Sequence, residues 1–138
     1  MQSAFRYETL MMSVRPLLGA FLVAGALAPA AQAAELIVLE RPGCAWCLLW
    51  NREVAPIYPK TVEGRLAPLR RVDITRPWPA DLAGIEGDLY TPTFIVVDNG
   101  VEVGRLRGYP GEAFFWPLLN EMLDRLPAPD AAAEGRRS

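Results

Sequence analysis

Two short stretches of the chain are apolar without interruption, Leu36 to Leu39 and Phe94 to Val97. Runs of this length rich in branched side chains read as strands covered on both faces. The first strand is predicted over Leu36–Glu40, and Arg41-Pro42-Gly43 stops it because proline has no amide to donate to a ladder. From Ala45 to Tyr58 the pattern changes to helical spacing. Leu48, Val54 and Ile57 mark the apolar face, Leu49 and Trp50 widen it, and Pro56 disturbs it. Thr61–Arg65 reads as a link, and a second strand follows over Leu69–Ile74, with Asp73 marking its end. Strand, helix and strand of these lengths make the ordinary right-handed parallel unit. Residues 75–88 read as loop around a short helix at Pro79–Ala83. After the strand at Phe94–Val97, Asp98-Asn99-Gly100 is a hairpin turn, since Asn-Gly tolerates the positive φ such turns need. Val101–Leu106 alternates as the returning strand. Beyond the turn at Gly108–Gly111, residues Phe115, Leu118, Leu119, Met122 and Leu126 recur at helical spacing. They predict a last helix over Glu112–Leu126, disturbed by Pro117 and ended by Pro127. The sum is an α/β domain with a minimal four-stranded mixed sheet flanked by helices.

The N-terminal pattern is different. Leu17 to Leu27 is an unbroken apolar run of 11 residues, preceded by Arg15 and followed by Ala31-Gln32-Ala33. A membrane span needs about 20 residues, so the run is short for one. A positive residue, a short apolar stretch and an A-x-A site are the marks of a cleaved secretory signal. Residues 1–33 are therefore expected to be removed, with Met11 or Met12 as alternative starts. This leaves a domain at 34–126 and a flexible tail at 127–138, small and polar in composition.

Charge and composition narrow the chemistry. The whole chain carries a formal charge of −2, with no clustered basic excess of the kind that marks a nucleic-acid footprint. It has no histidine, which excludes Ser-His-Asp and Cys-His engines and removes the commonest metal ligand. There are two cysteines, Cys44 and Cys47, at the end of the first strand and the start of the first helix. A dithiol centre needs one accessible thiolate and a second thiol to resolve the mixed disulfide. Cys44 is the candidate nucleophile because helix-start amides stabilise negative charge there; Cys47, one turn deeper, closes the ring. An inert disulfide and half of a zinc site are the other readings. A zinc site requires four ligands, and no further Cys or His is present. No cofactor or metal is expected.

Three neighbours bear on that centre. Glu40 is the polar interruption of an apolar strand. Turned inward, burial would raise its pKa and let it take the Cys47 proton; turned outward, it is an ordinary strand-end carboxylate. Lys60 is an alternative charge partner. Trp46 is either an aromatic packed back on the domain or an apolar contact platform for partner proteins. Thr91-Pro92 leads directly into a core strand. A cis bond there would hold the backbone for pairing with an extended substrate chain, whereas a trans bond would be a plain lead-in.

With the CxxC after a strand, Thr91-Pro92, the hairpin and the Gly108 turn before the last helix, residues 35–126 resemble the thioredoxin fold. The segments ERPGCAWC, RRVDIT and YTPTFIVVDNGVEVGRLRGYPGEAFFWPLL, with the signal, resemble the small periplasmic thioredoxins of bacterial sulfur-oxidation (Sox) systems. The resemblance implies that Cys44 attacks, Cys47 resolves, Pro92 is cis, Thr91 pairs with substrate and Gly108 matches the glycine near the final turn. It implies a monomeric periplasmic reductant of protein disulfides, such as the sulfur-carrier complex, supplied with electrons by a membrane thiol transporter. Three places depart from ordinary thioredoxin. Gly43 replaces the tryptophan before the first cysteine and Ala45-Trp46 replaces Gly-Pro. Val38 stands at the place of the buried aspartate. Two other functions fit the same residues: a dithiol oxidase or isomerase of exported proteins, and a non-catalytic binding module with a structural disulfide.

Overall fold

The computed structural model describes residues 34–127. The predicted secretory signal and all but the first residue of the predicted tail lie outside the described residues. Four strands form one sheet: β1 (Ala34–Glu40), β2 (Leu69–Asp73), β3 (Thr93–Asp98) and β4 (Val101–Arg107). Their order is β2-β1-β3-β4, with β1 parallel to β2 and the other neighbours antiparallel. The helices are α1 (Ala45–Glu53), α2 (Val62–Leu66) and α3 (Glu112–Leu123). Short 3-10 turns lie at Tyr58–Lys60 and Ala80–Leu82. This is the four-stranded mixed sheet flanked by helices that the pattern predicts.

Strand side chains alternate between faces. Leu36 and Val38 of β1 lie with Phe94 and Val96 of β3 on one face, where Trp50 and Val54 of α1 and Phe115 and Leu119 of α3 cover them. Trp50 is fully buried, and its ring centroid is 5.3 Å from that of Phe94. Phe94 and Phe115 meet edge-on at 4.9 Å. Ile37, Leu39, Ile95 and Val97 face the other way with Val72 of β2, packed against Leu82 and Ile85.

Several boundaries differ from the sequence reading, each for a physical reason. The first helix ends at Glu53, not Tyr58. Val54 and Ala55 both donate to the Trp50 carbonyl, and Pro56 then has no amide with which to continue. Its buried stripe is Cys47, Trp50 and Val54, so Leu48 and Ile57, read as core, are exposed. The supposed link at 61–65 contains α2, capped by the Thr61 hydroxyl, which accepts from the Gly64 amide at 3.0 Å. Gly64 is required there, because a Cβ would stand 1.9 Å from the Tyr58 carbonyl oxygen. The last helix stops at Leu123, three residues early, although Leu126 still packs on the core. Pro117 remains inside that helix, which forgoes one i→i−4 donor. The hairpin turn is as predicted, with Asn99 at φ 49° and Gly100 at φ 79°.

Candidate active site

The register gathers four chain segments at one end of the sheet. Glu40, last in β1, lies beside Asp73, last in β2. Leu39 pairs with Thr93, first in β3, and Thr93 pairs with Arg107, last in β4. Residues 41–44, 90–92 and 108 therefore emerge together. Within this end Cys44 and Cys47 are joined as a disulfide, with Cα atoms 5.2 Å apart. Cys44 is the N-cap of α1, and its Sγ accepts from the Cys47 amide at 3.1 Å. The amide of a first helical turn is thus aimed at the sulfur that would carry charge on reduction. Both cysteines are nearly buried, while Pro42, Gly43, Ala45 and Trp46 around them are exposed.

The Thr91–Pro92 peptide bond is cis. Pro92 is buried, its carbonyl accepts from the Gly108 amide at 2.8 Å, and the loop is thereby tied to the turn before α3. Tyr90 is held on both sides: its amide donates to Asp88, and its carbonyl accepts from the Thr93 hydroxyl. Among the described residues, no hydrogen bond engages the amide or carbonyl of Thr91. Its backbone groups remain open at the end of the sheet that carries the disulfide.

Trp46 is 60% exposed and does not pack back on the domain. Leu89 and Tyr90, which lead to the cis bond, are also exposed and were not singled out from sequence. Glu40 lies on the α1 face of the sheet, by its alternation with Val38. Its side chain is 23% exposed and accepts from Arg71 at 2.9 Å. Glu40 is therefore neither fully buried nor a free strand-end carboxylate. The same Arg71 places its guanidinium 5.4 Å from the Trp50 ring centroid, a cation–π contact linking Glu40 to the core behind the disulfide. A cavity of 230 Å³ beside the disulfide loop is lined by Glu40, Arg41, Pro42 and Asp73. Lys60 stands beyond the far end of α1 and is not brought to the site. Val38, where thioredoxin has its buried aspartate, is fully buried against the aromatic core. Tyr109, next to Gly108, was also missed. Its hydroxyl donates to Glu53 at 2.6 Å, and burial followed by that carboxylate pushes its pKa up.

A disulfide capping a helix at the end of a central strand, facing a cis-proline loop, defines a thioredoxin-type thiol–disulfide oxidoreductase. No protein-family model and no curated protein matches the chain. Solved structures do. The periplasmic thioredoxin SoxS from Paracoccus pantotrophus, in its reduced form, is 45% identical, with a TM-score of 0.62; the match covers 67% of this chain and 97% of that one. A thioredoxin from Malassezia sympodialis is 18% identical, with a TM-score of 0.50 over 67% of this chain and 76% of its own. One from Fasciola hepatica is 19% identical, with a TM-score of 0.51 over 66% and 82%. These two share the fold. The chain belongs to the thioredoxin superfamily.

Proposed function

We propose that the chain is a periplasmic reductant that returns protein disulfides or cysteine adducts to thiols, with the sulfur-carrier complex of sulfur oxidation as its partner. The observation that carries this reading is the 45% identity to periplasmic SoxS over 97% of that protein. In the proposed cycle the reduced Cys44 thiolate attacks one sulfur of the partner disulfide, and the other partner sulfur leaves as a thiolate. Cys47, deprotonated, then attacks Cys44 Sγ and releases the second partner thiolate. Two electrons pass to the partner, and the disulfide now closing Cys44 to Cys47 is left behind. A membrane thiol transporter would restore the dithiol. The open backbone of Thr91 beside Pro92 would pair with the partner chain, and Trp46 would give it an apolar contact. Glu40, on the α1 side of the sheet, would take the Cys47 proton.

A signal at residues 1–33 would deliver the domain. Mass spectrometry of the exported protein should find Ala34 at its N-terminus. The deciding test is the reduction potential of the Cys44–Cys47 pair, measured in thiol buffers. A value near the −270 mV of thioredoxin supports a donor. A value near about −120 mV would make the protein an oxidant of exported thiols and end the sulfur-oxidation reading.

A further inference from the structure

The segment before the cis-proline is held by charge. The Asp88 side chain is only 6% exposed, and both its oxygens are used. Oδ1 accepts from the Tyr90 amide at 3.0 Å; Oδ2 accepts from Arg105 Nη1 at 3.2 Å and from Arg107 Nε. Arg105 reaches further along the same segment, donating from Nη2 to the Glu86 carbonyl at 2.7 Å. Glu102 steadies that guanidinium from the side at 2.9 and 2.6 Å. Arg105 and Arg107 are alternate residues of β4, opposite Ile95 and Thr93, and so project on one face. Two rungs of an edge strand therefore grip residues 86–90. Leu89 and Tyr90 in between are exposed and contribute little burial that could hold the segment.

We infer that Asp88, gripped by Arg105 and Arg107, is a positioning residue for substrate binding, straightening the segment that presents the Thr91 backbone to the partner chain. The inference rests on the proposed pairing of Thr91 with the partner. The carboxylate fixes the Tyr90 amide and the Thr93 hydroxyl fixes the Tyr90 carbonyl. Thr91, with its own amide and carbonyl unengaged, then follows a residue whose backbone is fixed on both sides. Release of the strap would let residues 86–91 sample other conformations, and partner binding would have to order them again. The sulfur chemistry, seated on α1, would not feel the loss.

The test uses the domain at 34–138 with insulin as the disulfide substrate and dithiothreitol as the source of electrons. Asp88→Asn keeps the shape and removes the charge. Arg107→Gln, at a side chain 61% exposed, removes one grip without touching the core, should Asp88→Asn fail to fold. Both variants should raise KM for insulin, by about three- to tenfold, with kcat and the reduction potential unchanged. An unchanged KM in folded variants, or a loss confined to kcat, overturns the inference. Pro92→Ala separates the two readings. A raised KM in Pro92→Ala with none in Asp88→Asn sinks the strap alone. No change of KM in Pro92→Ala removes the Thr91 reading and the strap with it.

Discussion

The two faces of the sheet are made of different material. One carries interlocked aromatics, with Trp50, Phe94 and Phe115 within 4.9 to 6.1 Å of one another, under α1 and α3. The other carries aliphatic side chains under a single 3-10 turn and the loop that Arg105 and Arg107 tie down. The difference separates two tasks. The disulfide rides on a helix anchored in a close-packed core, where a displaced atom costs many contacts at once. The segment that leads to the cis-proline is secured by a few strong polar bonds, which respond to charge. In the proposed cycle the sulfur chemistry would ride on the aromatic side, and the Thr91 contact with the partner would hang on the polar tether of the other.

The largest expected effect tests whether the aromatic side does the chemistry. Cys44→Ala should abolish disulfide exchange, while Cys47→Ala should leave a mixed disulfide that can be trapped with a partner protein. Equal trapping by both variants would reverse the assignment of roles. The next effect concerns stability. Phe115→Ala, in the aromatic face, should cost about 3–5 kcal/mol in denaturant unfolding. Leu82→Ala, in the 3-10 turn that covers the other face, should cost about 2–3 kcal/mol, since a short turn can settle into the space more readily than a packed helix. Equal losses would mean that the faces contribute alike.

Acid should find the charged strap. Burial favours the neutral form of Asp88, but the Tyr90 amide and the two arginines outweigh it and hold its pKa below the usual value. A carboxyl whose folded pKa is depressed stabilises the fold above its unfolded value, about 3.9, and loses that contribution as pH falls through the folded value. The stability difference between the wild type and Asp88→Asn should therefore be constant at neutral pH and shrink below about pH 4. A difference that persists at pH 2 would show that the carboxylate charge is not what holds the loop. The smallest effect is that of Glu40→Gln, which should slow release of the mixed disulfide by about ten- to a hundredfold without changing stability by more than about 1 kcal/mol. An unchanged rate from pH 6 to 9 would remove Glu40 from the proton path and leave it as the partner of Arg71.

Much of the fold was legible because it is written locally. Unbroken apolar runs marked β1 and β3, Asn99-Gly100 marked the hairpin, and two cysteines after Pro42-Gly43 marked the dithiol. Each depends on residues within a few positions of one another. The extent of α1 was less legible, since the choice between Leu48 and Trp50 as the buried residue depends on what the helix meets. Phe94 and Phe115 make a slot that a tryptophan fills, and Leu48 is turned to solvent. Helix α2 was missed because five residues containing a glycine carry little helical signal; a threonine cap and the Tyr58 hydroxyl on the Ala67 carbonyl, at 2.7 Å, stabilise it.

By itself the sequence determined the order of the strands and of the first and last helices, the position of the dithiol at a strand end and the candidate nucleophile, all consequences of period, propensity and spacing along the chain. Only the tertiary structure decided that the Thr91 amide and carbonyl are unengaged at the end of the sheet that carries the disulfide, that Glu40 is paired with Arg71, and that Asp88 is gripped from β4. Those facts join residues 17 to 31 positions apart or more. Sheet register sets such distances, and register follows from the packing of whole faces rather than from any short stretch of sequence.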